Sequence, residues 1–455
     1  MAGQTVVVVG AGPAGVRAAE RLVAAGVRPI VVDEAERAGG QIYRRPHSGL
    51  ERSYETLYGF EAGRAKALHD AFDALRPAID HRPMTLAYAV DGRRLFLNAG
   101  GRITEVRFDA LLLATGATDR LLPVRGWTLP GVFSLGGAQV ALKAQAATIG
   151  RRPVLMGTGP LLTLVAYQYV KAGTKPAAVL DVSPFRARLA ALPQLASRAG
   201  VLAKGLYYVA QLRRLGVPLW TGVTPLAIEG SGRVSRVIWT DDGGQRRETD
   251  CDAVGLGFGL RSETQLADLA GARFAFRASA GQWLPVQDDA GRTTVERVYV
   301  AGDGAGVNGA DAAEIQGRLA AIALLDDLGI TRSAEEEKRL RRQHARMRRF
   351  TAGLERAFLW PASLAAATAD ETLVCRCEAI TAGELRRSVR DLDARELNRA
   401  KSFVRVGMGR CQGRFCGAAA GEILAAALGV ATRDAGRLRG QSPVKPLSIS
   451  AERNS

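Results

Sequence analysis

A glycine-rich loop set directly behind a short β-branched run constrains this 455-residue chain more than any other feature. Residues 5–9 read Thr-Val-Val-Val-Val, the pattern of a strand buried on both faces. Gly10-Ala11-Gly12-Pro13-Ala14-Gly15 follows, then a helical stretch from Val16 to Ala25 that Gly26 ends. A second apolar strand, residues 29–32, runs into Asp33-Glu34. Strand, turn, helix and strand form a βαβ unit, so the chain must contain a parallel α/β sheet with a crevice at its strand ends. There Gly10 makes the tight turn, Gly12 lets the backbone approach a pyrophosphate, and Gly15 permits close helix–strand packing. The helix N-terminus turns free N–H groups and a positive dipole end toward phosphates. Glu34, 24 positions beyond Gly10, can accept hydrogen bonds from ribose hydroxyls. The loop alone does not separate FAD from NAD, and a glycine-rich turn in another α/β protein would carry the same letters.

Two later segments favour FAD. Residues 108–117, FDALLLATGA, form a buried strand ending in the small-residue turn Thr115-Gly116. Residues 298–303, VYVAGD, form another strand, ending in Gly302-Asp303. Up to about residue 330 the chain resembles the two-dinucleotide-binding flavoproteins, where such segments occur in this order. The resemblance implies that Thr115 and Gly116 lie near the nucleotide and that Asp303 holds the ribityl chain. Asp303 could instead cap the helical segment from Ala310 to Leu325.

A second loop is imperfect. Residues 152–156 lead into Gly157-Thr158-Gly159-Pro160-Leu161-Leu162, with Leu162 where the helix-packing glycine belongs. A leucine there pushes the helix away or forces a local rearrangement. Asp181, 24 positions beyond Gly157, stands where a ribose acid would. That acid and the absence of nearby arginines argue against a 2′-phosphate, so NADPH is not expected. The second site is expected to be structural or to hold ATP or NAD, without acting as a hydride-donor site. Cys251 stands alone, which excludes a disulfide-reductase mechanism and marks it as a small core residue.

The other four cysteines sit together, as Cys375-Arg376-Cys377 and Cys411-Gln412-Gly413-Arg414-Phe415-Cys416, with 33 residues between the pairs. Four thiolates hold a [2Fe-2S] or [4Fe-4S] centre. Structural zinc also takes four ligands but favours Cys-x2–4-Cys knuckles, and Cys375 and Cys377 are separated by one residue. The four histidines, His47, His69, His81 and His344, lie elsewhere. The spacing favours [2Fe-2S] over zinc or metal-free thiols. Arg376, Lys401, Arg405, Arg410 and Arg414 would offset the cluster's negative charge and raise its potential; the alternative is a solvated basic surface.

The net charge of +17 is carried mostly by arginine. It reads as compositional bias with solvated faces, or as a surface for an acidic partner. Nucleic-acid binding is not expected, because no recognition motif is present and only 6% of residues are aromatic. Mean hydropathy is near zero, no run of eighteen apolar residues occurs, and residues 5–9 are too short for a signal peptide, so a cytoplasmic location without a membrane span is expected. In that compartment clustered cysteines are more often ligands than disulfides.

Residues 374–378 (VCRCE), Lys401 and residues 405–416 (RVGMGRCQGRFC) resemble the bacterioferritin-associated-ferredoxin-like [2Fe-2S] domain. They look most like the form fused to a flavoprotein in the large α subunit of heteromeric amino-acid and opine dehydrogenases. That group includes octopine and nopaline oxidases, D-hydroxyproline dehydrogenase, dye-linked L-proline dehydrogenase and hydrogen cyanide synthase. The Cys-x4-Cys second pair departs from the free ferredoxin but matches the fused form, and residues 443–446 (PVKP) also fit. The resemblance covers nearly the whole chain. It implies that substrate is oxidised at FAD on an amine-oxidase-like β subunit while this α subunit carries electrons onward. It also implies an FMN between the subunits and a small ferredoxin-like γ subunit in a hetero-oligomer.

The expected architecture is an α/β flavoprotein with two dinucleotide-binding domains and a C-terminal [2Fe-2S] domain. Residues 1–125 and 255–330 form the FAD domain, 126–254 a degenerate nucleotide domain, 331–370 a charged helical connector, 371–432 the [2Fe-2S] domain and 433–455 a tail. Residues 43–83 show no clear period. No substrate-oxidising constellation stands out. Three functions remain: the relay subunit, a stand-alone NADH-dependent flavin/[2Fe-2S] reductase, and a non-catalytic zinc scaffold on a nucleotide fold.

Overall fold

The computed structural model describes residues 4–331 and 333–448, with the backbone of residues 452–453. The β-branched run becomes the strand Val6–Val9, the centre of a five-stranded parallel sheet. Its order is Val298–Val300, Ala110–Leu113, Val6–Val9, Ile30–Val32 and Asp80–Arg82. Helices Pro13–Ala24 and Ala310–Asp327 pack together on one face. Their approach is close: a Cβ at Gly317 would run into the backbone of Ala14. Residues 43–83 resolve into helices Tyr54–Tyr58 and Ala62–Leu75 ahead of the edge strand, organised by buried His69. Its ring nitrogens meet the Tyr43 carbonyl at 2.8 Å and the Tyr54 hydroxyl at 2.9 Å.

A second five-stranded parallel sheet runs Leu219–Thr221, Ala178–Asp181, Pro153–Thr158, Ala253–Phe258 and Val132–Ser134. The chain crosses between the two sheets on an antiparallel ribbon, Ala117–Asp119 against Leu260–Ser262. The division expected at residues 254/255 therefore falls inside a strand: Ala253–Phe258 pairs along its length with Pro153–Thr158. Arg125 already bridges to Ala227 in the second unit. The apolar run continues past residue 254, and composition gave no mark of where it changes sheets.

The connector is a long helix, Ala334–Ala357, with Glu335, Glu336 and Glu337 in its first turn. That order complements the helix dipole. The helix lies against the second unit, where Phe350 and Ala357 meet Ala191 and Leu195. The C-terminal unit holds a short ribbon, Leu373–Cys375 with Ile380–Thr381, and helices Ala382–Leu392, Leu397–Val404 and Gly417–Leu428. Its apolar core is continuous with that of the second unit, and Trp127 Nε1 donates to the Leu373 carbonyl at 2.6 Å.

Candidate functional site

Four segments converge at the carboxyl ends of the first sheet. Gly10 turns at φ +106°, and a Cβ there would strike the Ala114 carbonyl. A Cβ at Gly15 would strike the Gly10 carbonyl. Gly12 differs, because a Cβ there meets only the Gly40 Cα, at 3.6 Å, so its open side faces ligand space. The helix Pro13–Ala24 has Gly12 as N-cap and no capping side chain, which leaves its first N–H groups for an anion. Gly39 crosses the loop and donates to the Ala11 carbonyl at 2.9 Å. Gly302, at φ +68°, lies against Ala14 and Ala313. Gly304 lies against the Thr115 hydroxyl and the Gly116 backbone.

The structure brings Gly10, Gly12, Gly15, Thr115, Gly116, Gly302 and Asp303 together at the ends of the first sheet's strands. Asp303 is not the N-cap of Ala310–Asp327; Gly309 is. Asp303 Oδ1 accepts from the N–H groups of Asn308 at 2.9 Å and Gly309 at 3.1 Å. Burial pushes this carboxyl above its ordinary range.

The acid after the second strand is placed differently from expectation. Glu34 is exposed and pairs with Lys445 of the tail, whose Nζ lies 2.6 Å from Oε1. Asp33 faces the glycine loop, accepting from Ala11 N at 2.5 Å and Ala35 N at 2.6 Å. Burial raises its pKa, against the pull of those two donors. The signal was available: the strand ends at Val32, so Asp33 is the first residue beyond it.

In the second loop the helix still opens at its proline, Pro160, with Gly159 as N-cap. Leu162 is accommodated by packing: it is fully buried with Leu135, Ala138 and Leu142 from the helix Leu135–Gln145. Gly157 presses on Gly257 of the neighbouring strand, whereas Gly159 has open space beside it. Asp181 sits at the end of its strand as expected, but it is already engaged. It accepts from Ser183 N at 2.8 Å and from Arg188 at 2.5 Å. The expectation of no nearby arginine is therefore corrected. The helix Phe185–Ala190 doubles back on the strand end and returns Arg188, which also lies 5.2 Å over the Phe358 ring. Cys251 is buried and its thiol is pushed up to about 12 by burial, as suits an inert core residue.

The four C-terminal cysteines are brought near one another, although among the described residues no group of three or more His, Cys, Asp or Glu side chains stands in metal-binding geometry. Cys375 ends a strand, Cys377 lies in the following turn, and Cys411 and Cys416 lie in the loop before Gly417–Leu428. The thiols neighbour and perturb one another in the order Cys377, Cys411, Cys416, Cys375. Such a row suits a binuclear centre, in which each iron takes two thiolates. Cys375 and Cys416 are buried, whereas Cys377 is exposed. The Cys416 thiol, with backbone N–H groups, holds Cys375 down to about 6 and Cys411 down to about 5. Thiolates are the metal-binding form. Gly407, Gln412 and Gly413 all have positive φ, and the tail's Leu438 side chain presses on Gly407, Gly413 and Gly417.

The flanking cations are only partly a solvated surface. Arg405 pairs with Glu378 at 2.7 Å, and Arg376 lies 5.7 Å over the Trp127 ring. Lys401 and Arg414 are buried. Lys401 donates to Gln441 at 2.9 Å, and burial lowers its pKa. Sequence reasoning missed Arg261 and Glu263, which belong to the crossing ribbon and its exit yet touch the cysteine loop. Arg261 donates to the carbonyls of Gly413 and Arg414, and Glu263 pairs with Arg414 at 2.5 Å.

Comparison with known proteins agrees with this geometry. Residues 4–320 match the family model described as pyridine nucleotide-disulphide oxidoreductase, and residues 373–426 match the BFD-like [2Fe-2S] binding domain. The chain is 37% identical to the A subunit of opine oxidase from Rhizobium meliloti, over 98% of this chain and 86% of that one. It is 39% identical to the A subunit of opine oxidase from Agrobacterium tumefaciens (strain Ach5), over 97% and 90%. It is 32% identical to hydrogen cyanide synthase subunit HcnB of Pseudomonas aeruginosa, over 98% of both. The crystal structure of L-proline dehydrogenase from P. horikoshii shares the fold, with a TM-score of 0.70 at 18% identity, over 98% of this chain and 79% of that one. The first family match carries FAD, and the second decides for [2Fe-2S] over zinc. Among the described residues no helix is long and apolar enough to cross a membrane. The chain belongs to the pyridine nucleotide-disulphide oxidoreductase family, as an FAD-dependent oxidoreductase with a C-terminal BFD-like [2Fe-2S] domain.

Proposed function

We propose that this chain is the electron-carrying subunit of a heteromeric dehydrogenase. Its substrate is a secondary amine or amino acid of the opine, proline or hydroxyproline type, oxidised on an amine-oxidase-like β flavoprotein. The observation that carries this reading is the docking of the cysteine loop onto the flavin-side turn through Arg261–Gln265. FAD accepts and passes on electrons singly or in pairs, and the cluster takes them singly. Full-length similarity to the opine oxidase A subunits and to HcnB supports the substrate class and the need for other subunits.

In this reading Gly10, Gly12 and Gly15 cradle the FAD pyrophosphate, with Thr115, Gly116 and Gly302 beside it. Asp303 Oδ2 receives a ribityl hydroxyl. Asp33 takes the ribose role in place of Glu34, which Lys445 holds at the surface. Cys375, Cys377, Cys411 and Cys416 hold the cluster, with exposed Cys377 on the side from which electrons leave. The FMN belongs at the interface with the β subunit, and a ferredoxin-like γ subunit completes the assembly. The open space beside Gly159 leaves room for ATP or NAD as a static ligand near Gly157, with Asp181 committed to Arg188.

Anaerobic titration of the isolated chain with NADH tests the relay role. The flavin absorption is expected to persist, because the second unit lacks an intact hydride-donor site. Bleaching by one equivalent of NADH would instead make the chain a complete reductase.

A further inference from the structure

One short segment touches the flavin-side turn and the cysteine loop together. Glu263 N donates to the Gly116 carbonyl at 2.9 Å, and the Thr115 hydroxyl donates to the Glu263 carbonyl at 2.5 Å. The Glu263 carboxylate receives both arms of Arg414, Nε at 2.5 Å and an Nη at 3.2 Å. Arg414 in turn donates to the carbonyls of Cys411 at 3.3 Å and Val444 at 2.6 Å. On either side, Arg261 donates to the Gly413 and Arg414 carbonyls at 3.0 and 2.9 Å, and Gln265 donates to the Gln412 carbonyl at 2.6 Å. The side chains of Arg414 and Glu263 are 8% and 15% exposed, so water screens the pair weakly.

We propose that Glu263 and Arg414 are a positioning pair that fixes the cysteine loop against the flavin-side turn and sets the reduction potential of the centre the loop holds. This inference rests on the reading that the four cysteines hold a one-electron centre. A two-armed arginine–carboxylate pair fixes direction as well as distance. Arg414 is a buried cation three residues from Cys411 and two from Cys416, and Glu263 balances its charge. Without the carboxylate, the uncompensated cation favours the added electron. Without the cation, the carboxylate, left facing Arg261 alone, opposes it. Removing either partner therefore moves the potential in opposite directions, whereas simple loosening of the loop would move both variants the same way.

The test uses the full chain, purified without oxygen, as wild type, Glu263→Gln, Arg414→Gln and the double variant. Iron, acid-labile sulfide and flavin are assayed, and the cluster's midpoint potential is followed by electron paramagnetic resonance. Both single variants are expected to keep wild-type cofactor content. Glu263→Gln should raise the potential by about a tenfold change in the oxidised-to-reduced ratio, about 59 mV for one electron. Arg414→Gln should lower it by a similar amount, and the double variant should fall back toward wild type. If Arg414→Gln loses its iron, the test rests on Glu263→Gln and on recovery of the wild-type potential in Glu263→Asp. Shifts of the same sign, or no shift with full iron, overturn the coupling and leave the cluster assignment standing. A wild-type chain without iron and sulfide overturns both.

Discussion

Replacing Cys411 with serine is expected to remove the iron–sulfur visible absorption and leave FAD in place. Cys411 lies inside the row of thiols, between Cys416 on one side and Cys377 on the other. The Cys416 thiol and, against the effect of burial, the N–H groups of Phe415 and Gly413 hold its thiol down to about 5. A serine hydroxyl stays protonated at neutral pH and is a poor substitute for a soft thiolate. Second-shell changes at metal sites cost about 10–100-fold in affinity, so loss of a direct ligand should cost at least about 100-fold. The flavin side is untouched, because Arg414 reaches Cys411 through its carbonyl, which serine keeps. Visible spectroscopy with iron and sulfide analysis checks the outcome. An unchanged spectrum would remove Cys411 from the ligand set.

Gly12→Val is expected to purify as a folded protein without FAD. Gly12 has φ −80° and ψ −172°, extended backbone that valine adopts without strain. Its Cβ would meet only the Gly40 Cα at 3.6 Å, so the fold should lose about 1 kcal/mol at most. What the side chain fills is the space for the pyrophosphate. Affinity for FAD should fall by about 100-fold or more, a loss of about 2.7 kcal/mol. Gly15→Ala is the contrasting control: its methyl would collide with the Gly10 carbonyl, so it should lower the melting temperature as well. Full flavin occupancy in Gly12→Val, measured by absorbance after desalting, would refute the crevice assignment.

Local pattern made much of this molecule legible. The glycine loops, the strands behind them and the two cysteine pairs are contiguous motifs whose spacing reflects backbone geometry, and the structure brings each set together. Choices of one residue were harder. Asp33 and Glu34 are adjacent acids, and only the end of the strand at Val32 shows which faces the loop. Arg188 was missed because a helix after Asp181 folds back on it. The placement of residues 43–83 depends on His69 meeting Tyr43 and Tyr54, contacts with no periodic trace. The Glu263 bridge was invisible for the same reason, since its partners Thr115 and Arg414 lie 148 and 151 positions away. The burial of Lys401 and Arg414 likewise depends on how the tail closes over the cysteine loop.

The most direct test of the relay account is affinity purification of this chain from its native host, with bound proteins identified by mass spectrometry. The account predicts a co-purifying amine-oxidase-like flavoprotein, with or without a small ferredoxin-like chain. A chain that emerges alone, with a flavin that NADH reduces, would contradict it.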